Sequence, residues 1–323
     1  MGLYTSSRNF GFGKSMGFAA SNALESRYGG GNYEGSQAGH YNTVAAHKER
    51  FDKFIDFAKS EGISDAQKIT QDTLDKYAEQ VADSGYSIAY AQNLISSVNV
   101  VLSALRGNNA LKVSPSEAVG QRSHIRTDIP GGIDRAEVKI ACDRMAAAGL
   151  NRAAAVTGLA REFGMRGKEA CIGDLNRWIK EAATQQAINI TEGTKGGRGR
   201  EVDRWVPVTA TGLEALHRAL DASPSGSRNL LAAGEKYIQF VDGELNRART
   251  HLKAAGIDKY HDLRSAYACE RYEQLSGSPA PVLTGSVMTA NRDSDWAARE
   301  ILTNALGHGR IDVVASYIGG RSR

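Results

Sequence analysis

The chain has 323 residues, of which 41% are apolar and 24% charged, with a formal net charge of +4. That length suits two domains or one large one, and that composition excludes wholesale disorder. A mean hydropathy of −0.38 and the lack of a long uncharged apolar run speak against a transmembrane helix, and residues 1–39 lack the apolar core of a secretory signal.

Three cysteines, Cys142, Cys171 and Cys269, are odd in number and far apart. They suit neither a disulfide framework nor a zinc cluster, so a reducing cytoplasm is the default. The small positive charge leans weakly toward an anionic partner.

Residues 1–39 hold nine glycines among Ser, Asn, Tyr and Phe. Such a stretch buries too little surface to offset its chain entropy and reads as a flexible tail. Its Gly13-Lys14-Ser15 resembles the end of a phosphate-binding loop, but position 8, where that loop needs glycine, is Arg.

Residues 40–111 read as a helical bundle. Val44, Phe51, Phe54, Ile55 and Ala58 recur at helical spacing, and Leu74, Tyr77, Ala78 and Val81 do so again beyond Gly62. A third run carries Ala91, Leu94, Ile95, Val98, Val101, Leu102 and Leu105. Residues 112–133, with Pro115, Gly120, Pro130, Gly131 and Gly132, read as a linker. Its Arg122, His124 and Arg126 make it basic.

Residues 134–323 form the second expected domain. Asp134-Arg135-Ala136-Glu137 opens a helix with a capping-box-like pattern, and further helical patterns cover about 150–163, 210–220, 242–255, 261–275 and 294–306. Trp296, Ile301, Leu302, Ala305 and Leu306 read together as core. A β-hairpin is expected from residues 187–191 and 204–208, with a polar Gly-rich tip between them. The fold class is therefore mainly α with a small β component (α+β).

Four short stretches carry chemistry. They are Gly164-Met165-Arg166-Gly167-Lys168-Glu169, Lys195-Gly196-Gly197-Arg198-Gly199-Arg200, His261-Asp262-Leu263-Arg264, and Leu306-Gly307-His308 with Tyr317 nine residues on. Each alone is commonplace, since short motifs recur by chance. In this order they resemble the tyrosine recombinases, or phage-type integrases. The resemblance covers about residues 135–318 and, more loosely, 41–110, which would be the family's helical core-binding domain on DNA.

The resemblance implies a catalytic set of Arg166, Lys195, His261, Arg264, His308 and Tyr317. Two guanidinium forks, Arg166 and Arg264, can hold the non-bridging oxygens of a phosphodiester bidentately. Removing one such preorganised donor costs on the order of 3 kcal/mol of transition-state stabilisation. A tyrosine hydroxyl, with an ordinary pKa of about 10, needs a proton acceptor at neutral pH. The family assigns that part to His261, the protonation of the leaving 5′ oxygen to Lys195, and a phosphate contact to His308. Glu169, three residues after Arg166, would orient that fork. Arg198, Arg200 and Arg204 are candidate DNA-backbone contacts.

The chemistry implied is site-specific strand cleavage and rejoining through a 3′-phosphotyrosyl ester, integrating or excising a mobile element. It calls for no cofactor and no metal. The implied partners are double-stranded DNA, further copies of the chain in a tetramer on two DNA sites, and accessory DNA-bending proteins, with no membrane. Competing readings are a non-catalytic DNA-architectural protein of the same fold, which needs no nucleophile, and a topoisomerase-like or telomere-resolving enzyme.

Two departures from the family pattern shape the expectations. The interval from Arg264 to His308 is long, with the surplus expected as a loop over residues 276–293. Six residues follow Tyr317, fewer than the segment many relatives dock on a neighbouring protomer. Gly319-Gly320 predicts a mobile nucleophile segment that is ordered only by DNA and a neighbour.

Overall fold

The computed structural model describes residues 7–28 and 38–321, except for the side chains of residues 38–42, 198 and 200. The chain divides into two compact units, Met1–Ser123 and His124–Arg323.

The first unit is a helical bundle of α1 (Met16–Tyr28), α2 (Ala38–Ser60), α3 (Gln71–Asp83), α4 (Ile88–Arg106) and the short α5 (Pro115–Val119). Thr70 caps α3 through a reciprocal box with Thr73, and Ser87 caps α4. Gly107, at φ +71°, ends α4 in the left-handed conformation that a side chain would disfavour. Phe51, Phe54 and Ala58 of α2 and Leu94, Val101 and Leu102 of α4 are wholly buried. By length and composition α4 is apolar enough to cross a membrane, contrary to the expectation from sequence. Its apolar face is nevertheless spent on the bundle core.

The flexible tail is corrected over its described part. Met16, Ala19, Ala20, Ala23 and Leu24 stand on one face of α1 and are buried against the bundle. The glycine-rich average masks this helical spacing, and small alanines let α1 approach α2 and α4 closely. Buried Asn9 adds a polar anchor, accepting from the Ala66 amide at 2.7 Å and donating to the Gly13 carbonyl at 2.8 Å. The Gly29-Gly30-Gly31 run lies outside the described residues.

The expected linker does not run free. Its first part is tied to the bundle, where the Asn99 side chain bonds both the amide and the carbonyl of Val113. Its last part belongs to the second unit. Arg126 pairs with Asp262 at 2.8 Å, and a Cβ at Gly131 would lie 2.3 Å from the Gly256 carbonyl.

The second unit is built around α7 (Asn151–Phe163), flanked by α6 (Arg135–Ala147). The chain continues through α8 (Gly167–Ile172), α9 (Leu175–Gln185), β1 (Ala187–Asn189), β2 (Trp205–Pro207) and α10 (Ala210–Ala222). The rest comprises α11 (Tyr237–Phe240), a π-turn (Val241–Leu245), α12 (Asn246–Lys253), α13 (Tyr260–Ser276), α14 (Arg292–Ala305) and α15 (Ala315–Ile318). The hairpin pairs antiparallel, with Ile188 opposite Val206 and Asn189 opposite Trp205. Trp178 of α9 is fully buried beneath it and donates its indole N–H to the Asn189 carbonyl at 2.9 Å.

One expectation about α14 is corrected. Leu302, Ala305 and Leu306 are core, but Trp296 is 50% exposed and Ile301 45% exposed. The buried places on that helix go to Asp295, Ala298 and Arg299 instead.

Candidate active site

The site begins where α7 stops. Gly164 is left-handed at φ +60°, and a Cβ there would strike the Tyr267 ring at 2.4 Å. The turn frees the Gly164 carbonyl, which accepts from both Arg264 and Arg204. Arg166 then sits at the N-terminus of α8, and Glu169 one turn in.

Glu169 is fully buried and organises three arginines. Its carboxylate takes the Arg166 amide at 2.7 Å and the Arg166 guanidinium at 2.6 Å. It takes Arg204 at 2.8 Å and faces Arg264 at 3.7 Å. Burial raises its pKa, but the charges of Arg204, Arg264 and Arg166 outweigh that and hold it at about 2.

Arg204 also departs from its expected place. Read from sequence as a DNA-backbone contact, it is only 3% exposed. Besides Glu169 and Gly164, it donates to the Ala305 carbonyl at 2.7 Å. The strand period carries the signal: Arg204 lies two residues from buried Val206 and so on its inward face, while Trp205 points out. The side chains of Arg198 and Arg200 lie outside the described residues.

Arg264 projects from α13 into the centre and is wholly buried. It donates to the carbonyls of Gly164 and Leu306, which leaves Nε directed at the Tyr317 hydroxyl at 3.3 Å. Its guanidinium lies 5.3 Å from the Tyr317 ring centroid. Burial and the neighbouring Arg204 lower its pKa to about 10, so it stays charged at neutral pH.

His308 follows Gly307 just beyond α14. Its Nε2 lies 2.9 Å from the Tyr317 hydroxyl and 3.3 Å from an Arg264 terminal nitrogen. Burial, reinforced by Arg264, Arg166 and Arg204, pulls its pKa down to about 3. The ring is therefore neutral. Since arginine only donates, the Nε2 facing it is an acceptor, which assigns the proton to Nδ1.

His261 stands one turn before Arg264, its ring 5.3 Å from that of Tyr317. Its side chain keeps an exposed edge, yet the protein packed around it, then Arg264 and Arg166, lower its pKa to about 4. The histidine at hydrogen-bond distance from the hydroxyl is His308.

Lys195 is exposed on the hairpin tip. With Arg166, Arg204 and His308 it borders a recess of about 90 Å³. Thus Arg166, Glu169, His261, Arg264, His308 and Tyr317 converge, and Lys195 stands at the rim.

Tyr317 itself is 4% exposed, and Gly319 and Gly320 are buried. The expected mobile segment is instead packed down. Gly319, at φ +93°, lies so close to the Pro281–Thr284 turn that a Cβ would meet the Val282 amide nitrogen at 2.8 Å. Part of the surplus expected as a free loop therefore backs the tyrosine segment.

The family model described as Integrase matches residues 132–270. That match lies within the second unit and covers less than half of the chain. It spans Arg166, Glu169, Lys195, His261 and Arg264 and stops before His308 and Tyr317. Solved structures of tyrosine recombinases share the fold. The Tn1549 transposon integrase in complex with transposon right end DNA superposes with a TM-score of 0.56 at 12% identity, over 94% of this chain and 95% of that one. A lambda integrase dimer bound to a COC′ core site gives 0.52 at 16% identity, over 92% and 75%. A lambda integrase tetramer bound to a Holliday junction gives 0.51 at 16%, over 94% and 76%. No curated protein matches the sequence.

Proposed function

We propose that the protein is a site-specific DNA recombinase that breaks and rejoins strands through a 3′-phosphotyrosyl intermediate. The observation that carries this reading is the Tyr317 hydroxyl, held between His308 Nε2 and Arg264 Nε in a buried cluster of arginines. A hydroxyl flanked by a neutral imidazole acceptor and a fixed cation is poised to become a nucleophile.

The reaction conserves atoms without an external energy source. The Tyr317 oxygen bonds to the scissile phosphorus as its proton passes to His308 Nε2. The bond from phosphorus to the 5′ oxygen breaks, and Lys195 protonates the departing oxygen. Arg166 and Arg264 balance the extra charge on the phosphoryl oxygens. Rejoining is the reverse, with a 5′ hydroxyl from the same or another strand as nucleophile. Arg264 is covered by the Tyr317 ring, so the incoming phosphate takes over the hydrogen bond that Arg264 Nε now donates to the hydroxyl.

The substrate on this reading is double-stranded DNA, acted on by several copies of the chain, with a tetramer serving two sites. Integration or excision of a mobile element is the corresponding biological task. The test is a duplex nicked near the cleavage point, so that the released fragment diffuses away and the adduct accumulates. The wild-type chain should be trapped on a 3′ phosphate through Tyr317, and Tyr317→Phe should bind the duplex without forming the adduct. An adduct with the Phe variant would remove the nucleophile assignment.

A further inference from the structure

Helix α14 buries two opposite charges one turn apart, Asp295 at 1% and Arg299 at 2% exposure. Arg299 Nε donates to Asp295 Oδ1 at 2.7 Å, and the Tyr272 hydroxyl donates to the same oxygen at 2.8 Å. Arg321 Nε closes on Oδ2 at 2.9 Å, with its guanidinium 4.7 Å from the Trp296 ring centroid. The two terminal nitrogens of Arg299 reach the backbone just beyond Tyr317. One donates to the Gly319 carbonyl at 3.2 Å, the other to that of Gly320 at 2.8 Å.

Stability alone does not account for this arrangement, because apolar side chains of similar volume would commonly serve the core as well or better. What the pair adds is direction. A planar fork with fixed donors sets two consecutive carbonyls, and through them the exit of α15. On the other side the Arg126 amide donates to the Ala315 carbonyl at 2.9 Å. The short helix bearing Tyr317 is therefore pinned before and after the tyrosine by side chains and backbone of its own unit.

We propose that Asp295 and Arg299 are positioning residues, a clasp that presents Tyr317 to the Arg264 and His308 of its own chain. The proposal rests on the reading of Tyr317 as nucleophile. Displacements of about 1 Å from the productive geometry can cost on the order of 10²-fold in rate. A clasp on the two residues after the nucleophile removes that freedom before DNA arrives.

The test uses the full chain on the nicked duplex, at saturating DNA in a single turnover, with DNA affinity and thermal unfolding followed in parallel. Arg299→Lys keeps the charge but loses the fork, and adduct formation should slow by on the order of 10²-fold while affinity holds. Arg321→Ala covers the case in which that variant fails to fold. Its side chain is 42% exposed, so the fold should tolerate the change, and the rate should fall by a smaller factor at unchanged affinity. Wild-type rates in folded variants overturn the clasp.

A mixing experiment reads the same claim without relying on rates. Tyr317→Phe supplies intact pockets and Arg166→Ala supplies intact tyrosines. With the clasp unaltered, the mixture should form no adduct, and an adduct would show delivery between chains and overturn the proposal. If the unmutated chain forms no adduct at all, the nucleophile reading fails first, and the clasp loses its purpose with it.

Discussion

The Tyr317 hydroxyl lies 2.9 Å from His308 Nε2, within hydrogen-bond distance. The neutral ring, with its proton assigned to Nδ1, offers a lone pair along that line. His308 is therefore the immediate acceptor in the resting site, and His261 flanks the ring. We expect His308→Ala to slow adduct formation by about 10²–10⁴-fold, the usual range for a lost proton-transfer group. His261→Ala should cost less at unchanged pH. Single-turnover rates on the nicked duplex compare the two, and a larger loss at His261 would return the acceptor's part to it.

The histidine environments also fix a pH dependence. With His308 at about 3 and His261 at about 4, both rings are neutral through the physiological range. Adduct formation should show no loss near pH 6.5, where ordinary histidines gain a proton. Stability follows a different window. Between about pH 6.5 and these lowered values the unfolded chain binds protons that the folded chain refuses, so stability falls as pH falls across that interval. Glu169 adds its own loss lower down, between its ordinary value of 4.5 and about 2. Denaturant midpoints measured from pH 8 to pH 4 should decline steadily below pH 6.5, and a flat profile would contradict the lowered values.

Much of this was legible in the chain. Helical spacing located the elements of both units. The order of Arg166, Lys195, His261, Arg264, His308 and Tyr317 pointed to residues that the fold brings together or places at the rim. Three things were hidden, each for a physical reason. Glycine content concealed α1, because an average over residues 1–39 says nothing about which side chains share a face. Arg204 looked like a surface cation, because its partner Glu169 lies 35 positions away. Asp295 and Arg299 drew no reading from sequence, because nothing local shows that the next layer is the backbone of Gly319 and Gly320.

Glu169 should behave as the keystone of the arginine cluster. Glu169→Gln removes the one buried negative charge that Arg166, Arg204 and Arg264 share. Breaking a buried pair in this way typically costs 3–5 kcal/mol. We expect a large drop in thermal midpoint together with weaker adduct formation. Arg204→Gln should likewise destabilise the fold while leaving the salt dependence of DNA binding unchanged, because a side chain 3% exposed neutralises no phosphate. A shallower salt slope in that variant would restore Arg204 to the DNA-contact surface.

Lys195 differs from the rest of the site in standing exposed on a turn that holds Gly196 and Gly197 at positive φ. Among the described residues no ion pair or side-chain hydrogen bond commits it to the resting cluster, which suits a group whose partner, the departing 5′ oxygen, exists only during reaction. A sugar alkoxide is a poor leaving group without a proton, whereas a thiolate leaves readily without one. Lys195→Ala should therefore slow cleavage of an ordinary duplex by about 10²–10⁴-fold. The same variant should recover on a duplex in which sulfur replaces the 5′ bridging oxygen at the cleaved bond. Recovery confined to the sulfur substrate assigns the proton to Lys195. An equal deficit on both substrates means instead that the lysine acts on the non-bridging oxygens, where the identity of the leaving atom makes no difference.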